Sequence, residues 1–211
     1  MPFPPVQEWI IAEETSDTRR DESATPGHGT CVASKALGRV SGVSKNSRLI
    51  VVKADLSLLG TIDGFRKIVE DVSRNGRQSR AVVVVSRGSN EPFSEAQIRA
   101  QYMDNPWHTV RRYLTMLRDM DVLVVAAAGN DGGPINRLPA MFGLLDGLYP
   151  PVIAVGAAML DGERAPFSQY FAQTGRLLWA PGDEVICADA QSDSQYARRT
   201  GTSFAAPMVR S

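Results

Sequence analysis

The chain has 211 residues, 43% of them apolar and 22% charged, enough for one sizeable α/β domain with a closed core. Lys and Arg together number 23, as do Asp and Glu, so no bulk field draws the chain to nucleic acid or to an anionic membrane. No apolar stretch approaches the roughly 20 residues a bilayer crossing needs, and residues 1–5 carry neither the basic nor the apolar part of a secretory leader.

At the start of the chain, Glu8-Trp9-Ile10-Ile11 runs into the polar stretch 13–23, too soon to read as a strand of useful length. Further on, short apolar runs at 49–54, 81–86, 122–127 and 152–157 have the length and β-branched content of buried parallel strands. They are continuous rather than alternating, which says that both faces are covered. A weaker pair of strands is predicted at 177–180 and 184–187, split by the turn Pro181-Gly182-Asp183.

Helical periodicity falls between the strands. Over 61–75 the stripe is Ile62, Phe65, Val69 and Val72, and Gly76 stands where a helix stops; over 106–120 it is Val110, Tyr113, Leu114 and Leu117. The alternation predicts an α/β fold, a doubly wound and mostly parallel sheet with helices on both faces. No linker, internal repeat or low-complexity segment interrupts it, so residues 1–211 read as one domain. Neither end falls in a solvated linker, and the domain reads as incomplete at both termini.

Three glycine-bracketed motifs carry chemistry. Gly27-His28-Gly29-Thr30, followed by Cys31-Val32-Ala33, sets an imidazole at the start of a small-residue helix. With an unperturbed pKa of about 6.5, such a group takes and returns a proton near neutral pH. Ala126-Ala127-Ala128-Gly129-Asn130 sets an amide at the carboxyl end of a buried strand, the edge where open α/β sheets bind ligands. Gly201-Thr202-Ser203-Phe204-Ala205-Ala206-Pro207 sets a hydroxyl in the first turn of a helix, where backbone N–H groups lack partners. A dinucleotide fingerprint beginning at Gly27 fails, because the third glycine position holds Val32 and no strand is predicted before it. The other histidine, His108, reads as structural at the start of the second helix.

Together the three motifs closely resemble those of the subtilisin-like serine peptidases. The resemblance implies a three-layer αβα fold and acyl transfer, with Ser203 as nucleophile, His28 as general base and Asn130 as oxyanion donor. It also implies that Ser86, Arg87 and Gly88 pair with substrate backbone and that Ala128, Gly129 and Thr202 line the pocket. The family has an apolar residue where Arg87 stands, which points to tolerance of acidic side chains upstream of the cleaved bond. Peptides and proteins are the implied partners, and a secreted or vesicular site of action is implied as well. No cofactor is needed, and structural calcium enters by resemblance only, since no contiguous calcium-binding loop is present.

Two expectations carry consequences. The family's orienting aspartate ends an apolar strand before the histidine, and nothing matching that precedes His28. Either it lies before Met1, or a loop carboxylate such as Asp17, Asp21 or Glu13 stands in, or the domain lacks one, leaving an impaired enzyme or a peptide-binding module. Cys31 and Cys187 make no framework of bridges. Two buried thiols are expected, with Cys31 sensitive to thiol reagents, and pairing between them is the alternative.

Overall fold

The computed structural model describes residues 8–13, 15, 18–20, 22, 27–100, 106–144, 152–171, 177–192 and 194–209. Parallel strands dominate. β3 (Val82–Val85), β4 (Leu123–Ala127), β5 (Val152–Ala158) and β6 (Leu177–Pro181) form one parallel sheet in that order. β1 (Glu8–Ile11) and β2 (Ile50–Lys53) form a second, parallel pair. β7 (Val185–Ala188) and β8 (Tyr196–Arg199) make an antiparallel ribbon.

Side chains alternate across the central sheet, and both faces are covered. Val124 and Ala126 of β4 and Val152 and Ala154 of β5 bury against α2 (Leu58–Arg74) and α4 (Trp107–Asp119), through Phe65, Val69, Val72, Val110, Leu114 and Leu117. Val125, Ala127, Val155 and Ala157 face the other way, onto Ala205 and Ala206. These belong to the short helix α5 (Thr202–Ala205) and the turn that follows it. Burial of each Val or Leu side chain stabilises the fold by about 1.5–3 kcal/mol, so these two layers hold the sheet between helices. The fold is the expected three-layer α/β arrangement.

Several elements differ from expectation. The helix predicted over 61–75 begins earlier, at Leu58, because the Ser57 hydroxyl accepts the Gly60 N–H at 2.9 Å and caps it. Segments 177–180 and 184–187 are strands but join different sheets. A strand does precede His28: β1 pairs with β2, and the Ala12 N–H extends the ladder to the Lys53 carbonyl at 2.9 Å. The short helix α3 (Glu95–Ala100) and β8 were not anticipated.

The cysteine expectation is overturned. Cys31, in α1 (His28–Leu37), is joined to Cys187 of β7 by a disulfide with Cα atoms 5.0 Å apart, and both residues are fully buried. Cys31 therefore offers no thiol to a reagent. Val185 and Phe204 pack around the bridge, so α1, β7 and α5 share one small apolar cluster.

Candidate active site

The carboxyl ends of β3 and β4 open into a cleft of roughly 200 Å³. Arg87, Gly88 and Ser89 form one wall; Ala127, Gly129, Asn130 and Asp131 form the other. Thr202 and Ser203 close its floor, and Arg137 stands at its edge. Of the residues expected to meet substrate, Arg87, Gly88, Gly129 and Thr202 line the cleft. Ser86 touches Ser203 directly. Ala128 does not reach the cleft: it is fully buried, with its N–H bonded to the Val155 carbonyl at 2.9 Å, and Ala127 holds the wall position.

A hydrogen-bond network aims the Asn130 amide. The Thr202 N–H and the Thr202 hydroxyl both donate to Asn130 Oδ1, each at 2.9 Å, and Thr202 Oγ1 accepts the Gly129 N–H at 3.1 Å. A backbone N–H only donates, so the asparagine atom facing it is the oxygen, and Nδ2 is turned outward. Nδ2 lies beside Gly201, where an added Cβ would come within 3.4 Å of it. Gly201 has φ +151° and Gly129 φ +111°, conformations that favour glycine. A Cβ at Gly129 would land 1.8 Å from Gln169 Oε1.

Ser203 occupies the first turn of α5, where helix geometry leaves its N–H without an intrahelical acceptor. Its hydroxyl donates to the Ser86 carbonyl at 3.1 Å, while the Ser86 hydroxyl donates to the Ser203 carbonyl at 2.7 Å. The exchange ties the Ser203 turn to the end of β3. A rotation about χ1 swings the oxygen away from Ser86, because a serine hydroxyl has three staggered positions.

His28 begins α1, and its ring lies 5.4 Å from that of Phe204, the residue after Ser203. Burial pushes the imidazole below its ordinary pKa; the carboxylate of Glu22 pulls it up and the guanidinium of Arg199 pushes it further down. Neutral base is therefore available below pH 6.5. Among the described residues His28 makes no side-chain hydrogen bond. Glu22 caps α1, accepting the N–H groups of Gly29 and of Thr30, the latter at 3.0 Å. Sequence reasoning missed Glu22 and Arg199; one is a carboxylate among many in a polar stretch, the other an arginine in an unrecognised strand.

Of the carboxylates weighed as orienting groups, Glu13 faces α2. It is bonded to Lys67 at 2.5 Å and paired with Arg66 at 3.2 Å, and these bonds hold its carboxyl below the usual range. Ala12, the buried residue that follows β1, carries no carboxylate. Asp17 and Asp21 lie outside the described residues. His108 is half-buried in the first turn of α4. No group of three or more His, Cys, Asp or Glu side chains able to hold a metal is found among the described residues. Nor is any described helix long and apolar enough to cross a membrane.

The hydroxyl in the first turn of α5 and the amide fixed beside it thus stand at the carboxyl edge of a parallel sheet in an αβα fold, while the His28 imidazole is not among the cleft-lining residues and meets α5 through Phe204. The sequence model of the subtilase family matches residues 5–210, and the chain belongs to that family. It is 33% identical over 192 residues to an alkaline proteinase of Hapsidospora chrysogena, an alignment covering 88% of this chain and 41% of that protein. It is 30% identical over 197 residues to alkaline protease 1 of Aspergillus clavatus, covering 90% and 42%. The chain thus spans about two fifths of the length of these curated relatives. Among solved structures, the self-cleaved protease domain of PatA superposes with a TM-score of 0.66 at 28% identity, covering 95% of this chain and 68% of that one.

Proposed function

We propose that this chain is a serine endopeptidase domain acting on peptides and proteins. The observation that carries the reading is the Thr202–Asn130 network, which turns an amide donor toward the cleft beside Ser203. Ser203 Oγ attacks the scissile carbonyl carbon as His28 takes its proton. Negative charge gathers on the carbonyl oxygen between Asn130 Nδ2 and the Ser203 N–H. The imidazolium then gives its proton to the departing amine, leaving an acyl-serine. Water, deprotonated by His28, hydrolyses that ester and restores the enzyme. No cofactor enters these steps.

Glu22 supplies the negative field nearest to the imidazole in this scheme, through the helix end it caps. The disulfide supports a secreted or vesicular site of action, since such bridges persist in oxidising compartments.

A second reading, a groove that binds peptides without cutting them, draws support from the Ser203 hydroxyl's bond to Ser86 and from the absence of a described carboxylate bonded to His28. Treatment with a fluorophosphonate, followed by peptide mass spectrometry, separates the two. The endopeptidase reading expects a stoichiometric adduct on Ser203 that disappears in His28→Ala. A folded chain that binds peptides and forms no adduct refutes it in favour of the second.

A further inference from the structure

Arg87 is half-buried between the end of β3 and the start of α2, and it lines the same cleft as Ser203. Its Nη1 donates to the Asp55 carbonyl at 2.5 Å and its Nη2 to the Thr61 hydroxyl at 2.8 Å. Both acceptors are uncharged. A guanidinium has five N–H donors, so three remain unspent. The nearest carboxylate, that of Asp55, is occupied with capping α2, where Oδ1 accepts the Ser57 N–H at 2.9 Å and the Ser57 hydroxyl at 2.5 Å. Among the described residues Arg87 forms no ion pair. The other arginine on the cleft, Arg137, is neutralised by Asp131 at 2.9 Å. Of the charged residues lining the cleft, Arg137 is paired with Asp131 and Arg87 is left with no ion-pair partner. The Asp55 carboxylate acts on it only through space, and the guanidinium is half removed from water with donors to spare. Such a charge gains most from an anionic partner with two oxygens.

We propose that Arg87 is a specificity-determining residue that selects substrates with an aspartate or glutamate a few residues upstream of the scissile bond. The proposal rests on the peptidase reading for the direction of the chain in the cleft. Ser86 is bonded to Ser203, so a peptide extended along residues 86–88 passes Arg87 within a few residues of the attacked carbonyl, at about 3.3 Å per residue. The guanidinium then accepts the substrate carboxylate with its free N–H groups while keeping its bonds to Asp55 and Thr61, and no proton or covalent bond changes hands.

The test uses peptides of one sequence with Glu, Gln, Leu or Lys at each of four upstream positions. Their binding to the Ser203→Ala chain is read by fluorescence anisotropy, and their cleavage by the unmodified chain by mass spectrometry. At one upstream position Glu is expected to bind at least about tenfold more tightly than Gln, the size of a charge-assisted hydrogen bond. The ratio should fall toward one in an added Arg87→Gln change. Because Arg87 also ties β3 to α2, Thr61→Glu serves as a second variant: it puts a carboxylate against the guanidinium and should abolish the preference with Arg87 in place. Equal binding of Glu and Gln peptides at every position overturns the proposal, as does failure to bind any peptide. A preference that survives both variants overturns it as well. Preferential binding of the Glu peptide with no cleavage by the unmodified chain sustains Arg87 as the acid-selecting residue of the cleft and refutes the peptidase reading, and with it the placement of that acid relative to a scissile bond.

Discussion

Replacing Glu22 by Gln isolates what a charge near His28 does when it acts through the helix rather than by touching the ring. In the native chain the carboxylate accepts the Gly29 and Thr30 N–H groups and raises the imidazole pKa against the larger lowering effect of burial. Glutamine retains one acceptor oxygen and loses the charge. Where an orienting carboxylate bonds the ring directly, the equivalent change costs about 10⁴ in kcat. Glu22 makes no such bond. A solvent-facing charge acting on a neighbour is worth up to about 1 kcal/mol, which is roughly fivefold in rate. The assay is the pH dependence of kcat/KM on a chromogenic peptide, whose acid limb reports the free enzyme's base. Neutral His28 is the active form, so the limb follows its pKa. Removing Glu22 should move the limb to lower pH, while Arg199→Gln, which removes a cation, should move it to higher pH. An NMR titration of His28 in Ser203→Ala chains reads the same two shifts without turnover. Displacements of the two variants in the same direction, or a 10⁴-fold loss in Glu22→Gln with the limb unmoved, would refute the reasoning.

Asn130→Ala removes the proposed oxyanion donor; a fall in kcat of about 10²–10³ is expected, the size seen for the equivalent donor in subtilisin, with KM little changed in steady-state assays. Thr202→Val leaves the Gly129 N–H without its acceptor and Asn130 Oδ1 with one donor fewer, so denaturant melts should register a loss of about 1–3 kcal/mol, and kcat should fall with the loosened amide. Joint replacement of Cys31 and Cys187 by serine opens a link between residues 156 apart in sequence and should cost about 2–5 kcal/mol in the same melts. Folding should also weaken as pH drops below 6.5: the folded imidazole resists protonation, the unfolded one does not, and stability present above that pH is lost as it falls toward the folded pKa. A His28→Gln chain should show a shallower decline in thermal midpoint between pH 7 and pH 5.

The parts of the fold legible in the sequence are those with an uninterrupted or periodic apolar pattern. Val124 and Val125 stand out because a strand covered on both faces needs apolar side chains at every position, and Val82–Val85 stands out by the same run although β3 is an edge strand with Val82 exposed. The stripe of Phe65, Val69 and Val72 reveals α2 for the analogous reason at helical period. β8, with Tyr196 and two arginines, lies on an exposed ribbon and carries no such signal. β1 escaped because four half-buried residues before a polar run look like a loop until β2 arrives to pair with them. The segments around Asn130 and Ser203 were legible through their glycines, since Gly129 and Gly201 adopt conformations that favour glycine. Glu22 was not readable: it caps α1 whereas Glu13 meets the side of α2, a fact of tertiary structure. Cys31 and Cys187 were misread for the same reason, since their spacing of 156 residues says nothing of distance.

How α1 is held bears directly on the proposed chemistry, because the proposed base His28 and nucleophile Ser203 sit on different helices. α1 is fastened to β7 three times. Cys31 bonds Cys187, the Ser34 hydroxyl accepts the Ala188 N–H at 3.0 Å, and the Lys35 ammonium donates to the Ile186 carbonyl at 3.3 Å. Burial at that contact lowers the Lys35 pKa, so its charge is held at some cost to solvation. β7 in turn follows directly from the turn at Gly182, whose carbonyl accepts the Gly201 N–H at 2.8 Å just before α5 begins. The imidazole and the hydroxyl are thus referred to one short ribbon, with Phe204 packed both on His28 and on the bridge. A shift of α1 along β7 would be resisted by the bridge, by two hydrogen bonds and by the Phe204 contact at once. Preorganisation at this site comes from that shared anchor, which constrains the distance between base and nucleophile even where no hydrogen bond yet joins them.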